Sequence, residues 1–343
     1  MHQRFGRRTL SRAVSIFLAA SFIVIAPLAS ALADGATPEE RAAFLKAIDD
    51  TKGVVKPAKV CSSLLAIVPP PDWEGTWPAD VINRVRLRGD RIRWEGVPGR
   101  SRVLVAAFMS RADYETYYKA NLEGGEATYT LRKSLWVTVA PELRNYFKYS
   151  SRKSCPPSSK RVLRLLGLNP GKSYDVIVEM YVDPKDLFRP TPDPEITDHK
   201  AEVAVKAEDG SWVFPSPFLT YGTSRDYVNG PGKPALTYQE WFTQNALDSY
   251  DVDIDKGWGA PWTRLGYTYD WGSTSSHVGP SEFIIRVHPY PSGTGGEVTV
   301  TLVRAVRSYE DGDKPANWNA NFCCRYSCPR AEADAENMNP SLR

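Results

Sequence analysis

Apolar runs with strand character alternate irregularly with helix-like segments along this chain, and this order constrains the fold more than any other feature. Val103–Met109 and Leu135–Val139 are short apolar runs, and Tyr174–Val182 alternates between apolar and polar residues. Ser281–His288 and Glu297–Val306 alternate in the same way. The Pro/Gly/Ser-rich loop between these two segments predicts that they pair as an antiparallel hairpin.

Helices are predicted between and beside these strands. Thr37-Pro38-Glu39-Glu40 has the form of a capping box, which predicts a helix over Pro38–Thr51. Thr237-x-x-Glu240 is a second capping box and opens a helix that ends near Ser249. Two further helices are expected over Pro141–Lys148 and Ser159–Leu168. Because no regular β-α-β rhythm connects the elements, the predicted class is α+β, with a mainly antiparallel sheet and several short flanking helices.

Residues 1–33 have the features of an export leader. Four arginines precede an uncharged segment, Ala13–Ala33, that contains the apolar stretch Ile16–Leu28. Ala31-Leu32-Ala33 matches the small-residue pattern of a signal-peptidase site. We therefore expect a periplasmic or secreted bacterial protein that has no membrane span after cleavage, exported by the Sec or the twin-arginine route. An uncleaved membrane anchor is the alternative.

The remainder is predicted to form one α+β unit over residues 34–308, with a possible subdivision near 150–159 and a polar, cysteine-containing, partly disordered tail over 309–343. The chain has 43 Lys+Arg and 40 Asp+Glu, and the leader holds four of the arginines and no acidic residue. Cleavage thus leaves 39 basic residues against 40 acidic ones. Without a surplus of positive charge, nucleic acid is not an expected partner.

The chain has five cysteines, and an exported protein is expected to pair them as disulfides. The odd number leaves at least one thiol free or paired between chains. Cys323-Cys324-x-x-x-Cys328 indicates a disulfide tether for the tail, with a metal knuckle as the alternative. The other two are Cys61 and Cys155.

Asp251-x-Asp253-x-Asp255 is the candidate metal site. Alternating carboxylates in a tight turn suit Ca²⁺. An EF-hand loop would have glycine where Lys256 stands and a bidentate glutamate where Trp262 stands. A solvated acidic turn is therefore the favoured interpretation, with no cofactor expected beyond a possible calcium ion.

A second acidic cluster precedes and includes the dipeptide Asp198-His199. Carboxylates beside an imidazole can perform general acid–base chemistry or bind a metal. The favoured interpretation is nevertheless an ordered acidic loop that covers and solubilises a sheet edge. The other members of the cluster are Asp183, Asp186, Asp193 and Glu195.

The segment Gly257–Gly272 is the most distinctive part of the chain because of its many aromatic residues. If it is extended, Leu265, Tyr267, Tyr269 and Trp271 lie on one face, while Arg264 and Asp270 lie on the other. The aromatic face predicts either core packing or a surface on which a sugar or base stacks. The candidate binding residues are Trp258, Trp262, Arg264, Tyr267, Tyr269 and Trp271.

Several longer phrases resemble those of a group of bacterial proteins to which no activity is assigned. They include Asp183-Pro-Lys-Asp-Leu-Phe-Arg-Pro190, Pro192-Asp-Pro-Glu-Ile-Thr-Asp-His199, Pro261-Trp-Thr-Arg-Leu-Gly-Tyr-Thr-Tyr-Asp-Trp-Gly272 and Val278-Gly-Pro-Ser-Glu-Phe283. The resemblance implies no reaction or cofactor. It implies that the acidic loop, the aromatic segment and Glu282 belong to one unit. The hypothesis that follows is a shared pocket formed by Asp198, His199, Arg264, Asp270 and Glu282.

The favoured function is binding of a small molecule, glycan or protein partner in an aromatic-rich cleft. An enzyme acting on a glycan, nucleotide or peptide is the alternative, with Asp198 or Glu282 as acid–base group and Arg264 as clamp. A structural protein of the cell envelope is a third hypothesis. The sequence contains no nucleotide-binding loop and no nucleophile elbow that would select among these.

Overall fold

The computed structural model of the chain describes residues 35–52, 64–67, 92–125, 127–150, 157–196, 201, 205–206, 209, 212–213, 227, 234–287, 297–309, 317–318 and 322. The leader, all five cysteines, Asp198 and His199 lie outside these residues, so the expectations about them stay predictions, as do the predicted domain bounds. Within the described ranges, no helix has both the length and the apolar composition that a membrane crossing requires.

Six helices occur in the described part of the chain. They are α1 (Pro38–Lys52), α2 (Arg111–Tyr117), α3 (Lys119–Gly124), α4 (Ala140–Ser150), α5 (Ser159–Leu165) and α6 (Tyr238–Tyr250). Both predicted capping boxes are present. The Thr37 hydroxyl accepts from the backbone N–H of Glu40 at 3.2 Å, and the Glu40 carboxylate accepts from that of Thr37 at 2.9 Å. The Thr237–Glu240 pair repeats this geometry at the start of α6.

Ten strands accompany the helices. They are β1 (Val103–Met109), β2 (Thr128–Leu131), β3 (Leu135–Val139), β4 (Val176–Val182), β5 (Leu187–Phe188), β6 (Val205–Lys206), β7 (Trp212–Val213), β8 (Tyr267–Tyr269), β9 (Val278–Ile285) and β10 (Val298–Arg307). Seven of them form an antiparallel sheet in the order β2-β10-β4-β1-β3-β9-β5, and β8 pairs with β9 as the eighth strand. The predicted α+β class with a mainly antiparallel sheet is confirmed.

The predicted hairpin between the last two long strands is wrong. β10 pairs with β2 and β4, whereas β9 pairs with β3 on one edge and with β5 and β8 on the other. Three strands therefore separate β9 from β10 in the sheet. Alternation of apolar residues determines which face of a strand is buried but not which strand lies beside it.

One face of the sheet packs on the largest apolar cluster. Val103, Val105 and Ala107 of β1 contribute to it, together with Tyr114 and Tyr118 from the region of α2. The other face is covered by helices. Leu104 and Ala106 pack with Leu143 of α4 and with Val162 and Leu165 of α5, and Trp318 and Phe322 join the same cluster.

Two further apolar clusters extend the covering of this face, and we call the helices and loops that form it the second layer. Ile284 of β9 packs with Phe188, Tyr238, Trp241 and Trp262, which attaches α6 to the sheet. In the other, α1 contacts α5 and the segment around β8 through its buried apolar residues Phe44, Ala47 and Ile48. Because both faces are covered, the central strand β4 is buried at six of its seven positions, although the alternation of apolar and polar residues in Tyr174–Val182 predicts a strand with one exposed face.

The turn after α5 lies directly against the loop that follows α6. A β-carbon added to Gly171 would lie 1.6 Å from the carbonyl oxygen of Ile254. The side-chain amide of Asn169 reinforces the contact by donating to the carbonyl of Trp258 at 2.5 Å. Only glycine permits this approach, since the opposing atoms belong to the backbone and cannot rotate away.

We therefore expect Gly171→Ala to lower the free energy of unfolding by about 3 kcal/mol, because the two loops must separate to admit the methyl group. Denaturant unfolding monitored by circular dichroism measures the change. Gly124→Ala is the matched control, since a β-carbon there meets no atom within 4 Å. Equal stability of the two variants would contradict the close approach.

Candidate functional site

A row of side chains crosses five adjacent strands on the helix-covered face of the sheet. The strand registers place Arg304 of β10 beside Glu179 of β4, Glu179 beside Ala106 of β1, Ala106 beside Thr138 of β3, and Thr138 beside Glu282 of β9. Two carboxyl groups thus stand on one largely apolar surface. A carboxylate in such a place requires a cationic or hydrogen-bonding partner, and without one it stays protonated.

The two glutamates are compensated differently. Glu179 is 2% exposed, and it accepts from Nε and Nη2 of Arg304 at 2.8 and 3.2 Å. Nε of Arg144 lies 3.6 Å from the same carboxylate. Oε2 of Glu282, in contrast, is buried and has no hydrogen-bond partner among the described residues. The neighbouring Thr138 hydroxyl does not serve it, because that group donates to the carbonyl of Ser281 at 2.8 Å.

Glu282 lies in the wall of a cavity of about 660 Å³ that the second layer leaves over this end of the row. Ala106, Thr138 and Glu282 line it from the sheet, and residues 166–169 and 257–263 line it from the loops. The residue Glu282 is partly exposed, although its Oε2 atom is buried. We attribute the exposed surface of the residue to the cavity. Burial raises the pKa of Glu282 to about 8. The carboxyl group is therefore largely protonated at neutral pH and can donate a hydrogen bond.

Trp262 contributes an aromatic ring to the wall of the same cavity. The residue is 4% exposed, and its indole Nε1 is buried without a hydrogen-bond partner in the described part of the chain. Its ring meets that of Trp136 edge-on, with 5.7 Å between the ring centroids, and packs on Phe242 at 4.9 Å. The indole is thus held in place by other rings, and its N–H group is buried without a partner among the described residues.

The aromatic segment 257–272 is not extended along its whole length. Arg264 and Gly266 adopt left-handed backbone conformations with φ of 61° and 73°, so only Tyr267–Tyr269 forms a strand. The predicted aromatic face divides accordingly. Leu265 packs with Tyr267 in one cluster, and Tyr269 packs with Trp271 in another. Among the predicted binding residues, those that line the cavity are Trp258, Trp262, Tyr267 and Tyr269.

Arg264 and Asp270, which an extended segment would place on one face, do not pair with each other. Asp270 is fully buried, and its carboxylate accepts from Nη1 and Nη2 of Arg161 at 2.9 and 2.6 Å and from the Tyr146 hydroxyl at 2.8 Å. Arg264 instead donates from Nη2 to the carbonyl of Thr51 at 2.8 Å. Arg264 has a left-handed backbone conformation, and its side chain reaches Thr51 at the end of α1. Both residues lie outside the set that lines the cavity.

The three aspartates of the candidate calcium site do not converge on one point. Asp253 contacts Lys256 through both the lysine backbone N–H and Nζ, at 3.0 and 2.9 Å. Asp255 pairs with Arg41 of α1, and Asp251 caps the end of α6. Within the described ranges, no group of three or more His, Cys, Asp or Glu side chains is placed to hold a metal ion.

Several cavity residues escaped the sequence analysis. Ala106, Phe108, Trp136 and Thr138 line the cavity from β1 and β3. Trp136 and Thr138 are two residues apart, so the sequence places them on the same face of β3. The sequence of such a short strand does not reveal which of its faces borders a cavity. Of the five residues in the hypothetical shared pocket, Glu282 lines the cavity, Arg264 and Asp270 are engaged elsewhere, and Asp198 and His199 lie outside the described residues.

The fold and site together define an α+β protein with an antiparallel sheet and a cavity lined by aromatic rings around a protonated carboxyl group. Comparison with known proteins identified no relative of this chain. No protein-family model, no curated protein and no solved structure matches the chain.

Asp270→Asn should lower the free energy of unfolding by about 3 kcal/mol, because it leaves the Arg161 guanidinium without its bidentate partner. Thermal and denaturant unfolding measure the loss. Asp255→Asn is the matched control, since its side chain is 75% exposed and its ion pair with Arg41 lies at the surface. Equal losses in the two variants would contradict the role of Asp270 as a buried anchor.

The stability of the protein should fall as the pH rises because of Glu282. Its pKa is near 4.5 when unfolded and about 8 when folded, so the folded state holds an extra proton between these values. The stabilisation is complete below pH 4.5 and is lost as the pH rises through 8. Each pKa unit corresponds to about 1.4 kcal/mol. Glu282→Gln should therefore be the more stable protein at pH 9, by a few kcal/mol at most.

Unfolding by urea at a series of pH values tests this expectation. Glu297→Gln is the matched control, because Glu297 is 43% exposed and lies 3.7 Å from Arg132. Its pH dependence should follow that of the wild-type protein. A Glu282→Gln curve that also follows the wild-type curve would show that Glu282 is not protonated in the folded state.

Proposed function

We propose that this chain is an exported binding protein that holds a small molecule in the aromatic-lined cavity. The observation that carries the proposal is a cavity of about 660 Å³ whose wall combines aromatic rings with the side chain of Glu282. Concave sites with mainly apolar walls and a few polar groups are typical of small-molecule binding sites. A ligand with a flat ring and a hydroxyl group suits such a wall.

The location of this function rests on the leader. The basic residues before the uncharged segment, and the small residues at its end, support export from the cytosol. The near-neutral charge after cleavage supports a small molecule, a glycan or a protein as partner rather than a nucleic acid.

An enzyme is the second candidate, and one observation favours it. A carboxyl group that stays protonated at neutral pH can act as a general acid. The proposed clamp, Arg264, is engaged with Thr51, which weakens this candidate. Glu282→Gln separates the two functions, because the amide can still form hydrogen bonds with a ligand but cannot supply a proton.

Phenol is a suitable probe of the cavity, because it combines a flat ring with one hydroxyl group. Saturation-transfer NMR on the mature chain should detect its binding. Ala106→Leu should weaken phenol binding about fivefold or more, because the added carbons occupy the cavity floor. Ala127→Leu is the matched control, since Ala127 is exposed and does not line the cavity.

Trp136→Ala provides a second variant in case the leucine disturbs the core. Trp136 is 37% exposed, so its removal leaves the sheet intact while it deletes part of the cavity wall. Phenol binding should weaken in this variant too. If phenol binds both folded variants as it binds the wild-type protein, or does not bind the wild-type protein, the proposal is wrong.

A further inference from the structure

Neither oxygen of the Glu282 carboxyl group has a hydrogen-bond partner among the described residues. Oε2 is buried. Oε1 is not one of the buried atoms that lack a partner, and no hydrogen bond engages it, so it retains accessible surface. Because Glu282 lines the cavity, Oε1 is the oxygen that borders this space. A ligand in the cavity can therefore contact the carboxyl group through Oε1, although Oε2 stays shielded.

The charged groups of the lining leave this carboxyl group without a counter-charge. Four other charged residues belong to the described lining: Lys133, Lys172, Asp113 and Asp248. Two of them are cationic and two are anionic, so carboxyl groups outnumber ammonium groups when Glu282 is included. Burial alone raises the pKa of Glu282, with no contribution from a charged neighbour. A cationic group on a ligand would supply the charge that this carboxyl group lacks.

Aromatic rings of the lining already bind ammonium groups of the protein itself. A cation over a ring face is attracted by the negative charge density of that face. Three such contacts occur at the cavity: Lys256 over Trp258 at 4.8 Å, Lys133 over Tyr117 at 5.4 Å and Lys172 over Tyr174 at 6.0 Å. These three rings are occupied, so an ammonium group on a ligand requires a ring that carries no lysine.

Trp136 provides such a ring. It lines the cavity, is 37% exposed, and has no cation over it in the described part of the chain. The register of β3 and β9 sets Thr138 beside Glu282. Trp136 lies two residues before Thr138 on the same face, so it is a diagonal neighbour of Glu282. The β-carbons of diagonal neighbours lie about 7 Å apart, which lets both side chains contact one group of a ligand.

We propose that the cavity selects a ligand with an ammonium group on an apolar body, and that this group pairs with the Glu282 carboxylate and lies over the ring of Trp136. An ammonium group has three N–H donors, and its hydrogen bonds to a carboxylate are about twice as strong as neutral ones. The ion pair forms when the carboxyl group releases its proton to the solvent. This assignment rests on the proposed binding function and names its ligand class.

Three probes of nearly the same shape test the assignment on the mature chain. Benzylamine carries an ammonium group at pH 8, benzyl alcohol is neutral, and benzoate is an anion. Calorimetric titration at this pH should show that benzylamine binds about tenfold more tightly than benzyl alcohol, because only benzylamine forms a charge-assisted hydrogen bond. Benzoate should bind more weakly than either. Phenol should be tested in parallel.

Glu282→Gln tests the carboxyl group. The variant should bind benzyl alcohol as the wild-type protein does but lose the preference for benzylamine, because an amide carries no charge. Glu297→Gln is the matched control, since it makes the same change at an exposed side chain outside the lining. It should keep the full preference.

Trp136→Leu tests the ring and provides a second variant in case Glu282→Gln does not fold. Leucine keeps an apolar side chain at this position but removes the ring face that attracts a cation. The affinity for benzylamine should therefore fall several-fold more than the affinity for benzyl alcohol. Equal losses for the two probes would contradict the placement of the ammonium group over Trp136.

The outcomes separate the ammonium assignment from the binding function. Binding of phenol or benzyl alcohol without a preference for benzylamine would overturn the ammonium assignment alone. A preference that Glu282→Gln retains would also overturn it, as would binding of benzoate as tight as that of benzylamine. Failure of all four probes to bind would overturn the binding function itself.

Discussion

The burial of the central sheet on both faces is the constraint on which the rest of this structure depends. Strands β4 and β1 lie between an apolar cluster on one side and helices on the other, so a charged group on them cannot reach bulk water. Glu179 meets this constraint through Arg304 and Arg144. Glu282 lies three strands away in the same row, on β9, and has no such partner for its buried oxygen among the described residues, so burial raises the pKa of its carboxyl group. The row thus has an ion pair at one end and a carboxyl group with a raised pKa at the other.

Two contacts hold together the segments of the second layer near the cavity. Asp270 attaches the end of β8 to α4 and α5 through Tyr146 and Arg161. Gly171 allows the turn after α5 to meet the loop after α6 at backbone distance. Both contacts involve groups that cannot be exchanged without strain or an unpaired charge.

The chemistry of the cavity follows from which polar groups the fold has already engaged. Asp270, Arg264 and the Thr138 hydroxyl all have partners within the protein, and these partners fix the loops and strands. The Glu282 carboxyl and the Trp262 indole are the buried groups of the cavity lining that have none among the described residues. The polar side chains of Arg264 and Asp270 therefore hold segments of the structure together and do not contribute to the cavity lining.

The sequence by itself determined the local features of this protein: both capping boxes, the strands β1 and β3, the α+β class and the aromatic character of residues 257–272. Each depends on residues close together in the chain, so spacing and composition suffice to predict it. Only the tertiary structure decided that β9 and β10 lie apart, that Asp270 pairs with Arg161 rather than Arg264, and that Glu282 faces a cavity. These outcomes depend on strand partners and on the left-handed turn at Arg264, and both result from packing between segments that are distant in sequence.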